Sequence, residues 1–208
     1  MAMLTVWGRE NSSNVKKVLW LLTELKQPYQ LIKAGGQYGK NHDAEYLALN
    51  PNGLVPCLQD NDFILWESNA ILRYLAARYG DKQLWPDNIQ QRANGDKWLD
   101  WASSTLAPPF KDVMINLVRK APEERDMAAV NRSMVVFEQQ WALLDNVLEK
   151  QHWLSGDQFG LGDIPAAIYF YAWNALPIER QAHPHLARWY QQLTQRPAYQ
   201  QHVMQPLS

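Results

Sequence analysis

Every β-type run in this chain lies before Gly80, and beyond it only helical periodicity is found. That asymmetry predicts an α/β domain followed by an all-α one. Leu4 to Trp7 reads as a short strand ended by Gly8. Val15, Val18, Leu19, Leu22 and Leu25 form the apolar stripe of a helix that Pro28 closes. Tyr29 to Lys33 reads as a second strand, Gly35, Gly36 and Gly39 as a flexible loop, and residues 43–49 as a short helix.

The stretch from Asn50 to Leu75 compresses turn, strand, turn, strand and helix into one passage. Pro51 and Gly53 break the backbone before the apolar run Leu54, Val55, Cys57 and Leu58. Pro56 sits inside that run; having no N–H for a sheet ladder, it argues for an edge position or a special turn. Phe63 to Trp66 follows a polar turn, and Glu67-Ser68 opens a helix carrying Ala70, Ile71, Tyr74 and Leu75 at helical spacing. A proline beside a strand and a Glu-Ser pair at a helix start make a device for gripping a small peptide.

The domains are expected at residues 1–80 and 89–208, joined by a linker over 81–88. In the second, a helix over Ile89 to Leu106 is kinked or stopped by Pro108-Pro109. Further helices are expected around Val113 to Val118, over Ala129 to Lys150, over Asp163 to Trp173 and over His185 to Gln195. A net charge of −1 without a basic run disfavours a nucleic-acid partner. No apolar stretch approaches the ~20 residues that would cross a bilayer, so no membrane partner is expected. Met1 to Arg9 lacks a basic segment leading into a long apolar core, and no secretion signal is expected there. One cysteine, Cys57, excludes an internal disulfide and fits the reducing cytoplasm. Ten tryptophans point to aromatic-rich cores or a roomy apolar pocket. His183 and His185 flank Pro184 without cysteine or clustered carboxylates, so no metal site is expected.

With these motifs the chain resembles the glutathione transferase family, in a bacterial group related to the theta and nu classes. The resemblance is carried by residues 50–56, by Trp66 to Leu75, and by Gly156-Asp157 leading to Gly160-Leu-Gly-Asp163. Leu186 to Ala198 and the amino-terminal Trp7-Gly-Arg9 with Asn11 to Lys17 add to it. It implies a thioredoxin-like amino-terminal domain, an all-helical carboxy-terminal domain, glutathione as cosubstrate, no metal, and a homodimer.

The resemblance also implies roles. The Val55-Pro56 bond is expected to be cis, with the Val55 backbone pairing to the cysteinyl part of glutathione; an ordinary trans edge proline is the bland alternative. Ser68 would receive the γ-glutamyl carboxylate at a helix start, and Glu67 its ammonium; a plain helix cap is the alternative there. Ser12, then Asn14, then Ser13 are the candidates for holding the sulfur as thiolate, although either serine could merely cap the helix. A catalytic cysteine would stand at position 12, where this chain has serine, and Cys57 is expected to be a small buried residue.

Some relatives carry a histidine where this chain has Gly53, so the glycine carboxylate needs another cation, for which Lys40 or Arg9 is available. Asn69 replaces a frequent arginine. Trp7, Trp101, Thr105, Phe110 and Met114 are candidates for a second-substrate pocket between the domains, at spacings that equally suit core packing. Ser or Thr frequently stands where Gly160 is, so only half of a capping box with Asp163 remains. The expected chemistry is thiolate attack on a small electrophile such as an organic halide. Glutathione-dependent disulfide or peroxide reduction is the catalytic alternative, and a non-catalytic stress-associated partner protein of the same fold the third.

Overall fold

A computed structural model describes residues 3–208; Met1 and Ala2, at the start of the stretch weighed as a secretion signal, lie outside them. Strands β1 (Leu4–Gly8), β2 (Tyr29–Lys33), β3 (Cys57–Asp60) and β4 (Phe63–Trp66) form one sheet in the order β2-β1-β3-β4. β1 and β2 run parallel, joined through helix α1 (Ser13–Glu24); β1–β3 and β3–β4 are antiparallel. Helix α2 (Ala44–Leu49) precedes β3 and α3 (Ser68–Tyr79) follows β4. This is the thioredoxin-like arrangement with a mixed four-stranded sheet. β3 begins only at Cys57, so Leu54 and Val55, expected within the strand, lie in the loop before the cis Val55-Pro56 bond.

Residues 80–88 carry turns only, and helices fill the rest: α4 (Ile89–Trp101), α5 (Ala107–Met114), α6 (Met127–Glu149), α7 (Asp163–Ala175), α8 (Pro184–Thr194) and α9 (Pro197–His202). Pro108 and Pro109 neither stop nor break the first of these. A π-helical turn over Ala102–Leu106 carries α4 into α5, a widening that suits two residues with no N–H to give the turn before them. A second π turn, Ile115–Arg119, ends α5. The sequence pattern also missed α9, six residues opened by Pro197.

Helix α1 is buried on more than its apolar stripe: Lys16, Lys17, Trp20 and Leu21 are covered as well as Val15, Val18, Leu19 and Leu22. One side lies on α3, while α7 and α9 of the helical part cover another. Glu24 of α1 meets the Arg196 guanidinium at 2.8 and 2.9 Å, and Arg73 of α3 bridges to Asp96 and Asp100 of α4. The tryptophans are mostly core: Trp20, Trp141 and Trp189 are fully buried, and Trp141 stacks on Phe137 at 5.4 Å. Rings of this kind cover roughly 150–250 Å² each and dominate the burial energy. No helix among the described residues is long and apolar enough to cross a membrane.

Candidate active site

Two helix starts face each other at one end of the sheet. Ser12 precedes α1 with extended backbone, and its hydroxyl makes no bond to the helix or to any other described residue. A serine that capped the helix would give its oxygen to the first turn; this one is left free. Ser13 begins α1 and lines a small cavity with Lys16, Phe110, Met114, Ile168 and Tyr171. The segment from Pro206 to Ser208 lies against that cavity, tied by an Asn11 Nδ2 hydrogen bond to Ser208 Oγ (2.6 Å).

Asn14, on the first turn of α1, reaches the other helix start. Its Oδ1 accepts from Lys17 Nζ (2.9 Å) and from the Ser68 hydroxyl (3.3 Å), which leaves its Nδ2 without a partner among the described residues. Ser68 is buried at the start of α3. Glu67 before it is exposed, with φ 72° and ψ 110°, a left-handed backbone unusual for a residue with a side chain. Such outliers persist where surrounding structure imposes them and cluster at ligand clamps.

The loop before β3 is built so that one peptide remains unused. The Leu54 carbonyl accepts from Tyr46 Oη and Asn50 Nδ2, and the Gly53 carbonyl from Asn41 Nδ2. No hydrogen bond among the described residues uses the N–H or C=O of Val55. Backbone groups left free beside a cis proline are what a short antiparallel pairing with a peptide needs.

Gly53 lies in the left-handed region at φ 63°, and a Cβ there would stand 2.9 Å from His42 Cε1 and Nδ1. The exposed imidazole of His42 therefore takes the space that a side chain at 53 would claim. Sequence reading missed this, because His42 precedes Gly53 by a helix and a turn. Lys40 is exposed with φ 64° and no side-chain partner among the described residues, while Arg9 is engaged with Asn11 Oδ1 at 2.6 Å.

The other candidates separate. Phe110 stacks edge-on with Tyr169 at 4.8 Å and shares the cavity beside Ser13 with Met114. Trp7 is elsewhere, edge-on to Tyr46 at 5.8 Å in a small cluster with Ala34 and Cys57, because its strand turns it toward α2. Trp101 packs against Trp98 at 5.3 Å and Thr105 lies beside Ser104 Oγ; neither lines that cavity. Cys57 is fully buried, and burial pushes its thiol up to about 11, which leaves it without the thiolate a nucleophile needs. No group of three or more His, Cys, Asp or Glu among the described residues could hold a metal ion; His183 is turned instead to Glu138 at 2.9 Å.

The space left by the missing hydroxyl residue at 160 is filled from another position, while the Asp163 N–H goes to the Gly160 carbonyl (3.2 Å). The Ser155 side chain lies 2.8 Å from where a Cβ on Gly160 would be, and its hydroxyl accepts from the Gly162 N–H at 3.0 Å.

The family models for the amino-terminal and carboxy-terminal domains of glutathione S-transferases match residues 2–77 and 96–197. The chain is 53% identical over 208 residues to glutathione S-transferase GstB of Escherichia coli K12, covering 99% of this chain and 100% of that one. It is 30% identical over 198 residues to glutathione S-transferase 4 of Zea mays, covering 93% and 88% respectively. The theta class glutathione S-transferase of Xanthomonas axonopodis pv. citri with glutathione bound superposes over 100% of both chains, with a TM-score of 0.96 at 47% identity. The apo form of that protein superposes with a TM-score of 0.87. The chain belongs to the glutathione S-transferase family.

Proposed function

We propose that the chain is a glutathione transferase that holds the tripeptide between two helix starts and directs its thiolate at a small electrophile. The observation that carries this is the 3.3 Å contact between Asn14 and Ser68, which joins the start of α1 to the start of α3. One start serves the sulfur and the other the γ-glutamyl carboxylate, each with the positive end of a helix dipole behind it. The glutathione bound in the Xanthomonas relative supports the choice of cosubstrate.

Free thiol is only a few per cent ionised at neutral pH. The unengaged Ser12 hydroxyl donates to the sulfur, and Asn14 Nδ2 is a second donor; Ser13 stands beside the electrophile. Val55 pairs through its backbone with the cysteinyl residue, next to Pro56. Glu67 takes the ammonium and Ser68 the carboxylate of the γ-glutamyl group. At the glycyl end Lys40 and His42 supply cationic or hydrogen-bonding character. Phe110 and Met114 form the apolar wall for an electrophile such as an organic halide. The homodimer belongs to the same reading, supported by the exposed apolar side chains of Leu54, Phe63 and Trp66. A cytoplasmic site is supported by the lone, buried Cys57.

Replacing Ser12 tests the reading. Ser12→Ala is expected to lower kcat/KM by about 10²-fold, the scale of removing one donor to a reacting anion. The pH at which the bound thiol ionises, followed by ultraviolet absorbance of the thiolate, should rise. Because the Ser12 side chain makes no cap bond, stability should move by less than about 0.5 kcal/mol. Greater dependence on Asn14 than on Ser12, with turnover of small disulfides, would favour the reductase reading that the free Asn14 Nδ2 supports. Binding of glutathione without turnover of halides, hydroperoxides or disulfides would favour the non-catalytic one.

A further inference from the structure

Beneath the two helix starts lies a charge that the proposed chemistry does not use. Lys17, one turn after Asn14 on α1, is 1% exposed. Its ammonium donates to Asn14 Oδ1 (2.9 Å), Ser68 Oγ (3.3 Å) and Asn69 Oδ1 (3.4 Å), and lies 5.8 Å from the Tyr169 ring. All of these are neutral, and no carboxylate among the described residues forms an ion pair with it. A buried ammonium without a counter-ion is costly, and neutral acceptors at these distances offset only part of that cost. Two of its three acceptors, Asn14 and Ser68, are side chains assigned to the tripeptide in the proposed function.

We propose that Lys17 is a positioning residue whose ammonium is the buried counter-charge for the tripeptide's γ-glutamyl carboxylate, acting through Ser68 and Asn14. The proposal rests on the reading that this carboxylate docks at Ser68. Lys17 also fixes which way both side chains point: by taking Asn14 Oδ1 it leaves Nδ2 for the sulfur, and by meeting Ser68 Oγ it sets that hydroxyl at the helix start.

The groups facing Lys17 can be named element by element. From the start of α3 come Ser68, Asn69 and the preceding Glu67, and Asn69 is itself held by the Leu99 carbonyl of α4 (2.6 Å) and Ser103 Oγ of the π turn (2.9 Å). From α7 comes Tyr169, whose phenol is pushed up to about 12 by burial and stays neutral. Lys16, next along α1, is turned away to the Val203 carbonyl and the Tyr171 ring. Burial pushes the Lys17 amine down to about 8, with Glu67 opposing. An arriving carboxylate raises it again, so binding between about pH 8 and the raised value takes up protons. Affinity therefore falls as pH rises through about 8.

The test is calorimetry of the full chain with S-methylglutathione, a ligand whose blocked sulfur releases no proton, in two buffers of different ionisation enthalpy from pH 7 to 9. Wild type is expected to take up more protons near pH 8 than Lys17→Met, and to bind roughly ten- to hundredfold more tightly at pH 7. Lys17→Arg, which keeps the charge but does not titrate here, should recover affinity and lose both the extra uptake and the weakening above pH 8. Circular dichroism establishes that each variant is folded, and the Arg variant carries the test if the Met variant is not. Equal affinity and equal proton uptake in wild type and variants overturn the role of Lys17 while leaving the tripeptide site intact. No binding of S-methylglutathione to wild type overturns the site, and the role of Lys17 with it.

Discussion

Two buried ionisable groups in this molecule are treated in opposite ways. Asp163, at the start of α7, has no exposed surface, and its carboxylate receives Leu154 N–H (2.7 Å), Gly160 N–H (3.0 Å), Ser155 N–H (3.4 Å) and Trp189 Nε1–H (2.8 Å). Burial pushes its carboxyl up, and those donors oppose the push. Lys17 is as deeply buried, yet it meets three neutral oxygens, two of them beyond 3.2 Å. A charge saturated by backbone donors holds a loop in place; a charge left under-satisfied beneath a helix start is held for something outside the chain. The two regions share a second device. Gly160 yields its space to Ser155 and Gly53 yields its space to His42, but Ser155 is bonded within the chain and His42 is exposed.

The sharpest way to break the comparison is Asp163→Ala. It strands three backbone N–H groups and an indole N–H, and should cost about 3–5 kcal/mol in denaturant unfolding. The affinity of the folded protein for S-methylglutathione should stay within about twofold. A stability loss under about 1 kcal/mol would show that Asp163 is not the structural member of the pair.

Lys17→Met should do the reverse. Between about pH 8 and the ordinary lysine value of 10.5 the unfolded chain binds more protons than the folded one, so the Lys17 contribution to stability rises with pH across that window. Below pH 8 both states carry the charge and its burial cost is present in full. The variant should therefore melt at or above the wild-type temperature at pH 7, with the difference shrinking toward pH 10.5. A marked destabilisation at pH 7 would place Lys17 with Asp163 as a structural charge.

The smallest effect is expected at the glycyl end. His42→Ala should raise KM for glutathione a few-fold, on the scale of exposed polar contacts, with kcat and stability unchanged. Lys40→Ala measured alongside it separates the two candidates, and a loss of stability in His42→Ala would give His42 the same packing role as Ser155.

Much of the fold was legible because it is written locally. The stripe of α1, the break at Pro51 and Gly53, the start of α3 at Ser68 and the long α6 follow from side-chain spacing and from residues that set φ or cap a helix. The cis Val55-Pro56 bond was legible only through resemblance. The limits are equally local: α9 follows α8 after two residues and opens at Pro197, and Pro108-Pro109 announces a disturbance of the helix before it without saying that the helix widens into a π turn.

By itself the sequence determined the order of the strands and of the helices up to α8, the family, and the presence of Ser12, Glu67 and Ser68 at helix starts, since these depend on neighbours a few residues away. Only the tertiary structure decided that Lys17 is buried under Ser68, that His42 rests against Gly53, that Ser155 fills the space beside Gly160, and that Trp7 packs against Tyr46. The physical reason is that spacing shows which face of an element is apolar but not what covers its other faces. Lys16 and Lys17 look like a solvated edge of α1 until α3, α7 and α9 close over it.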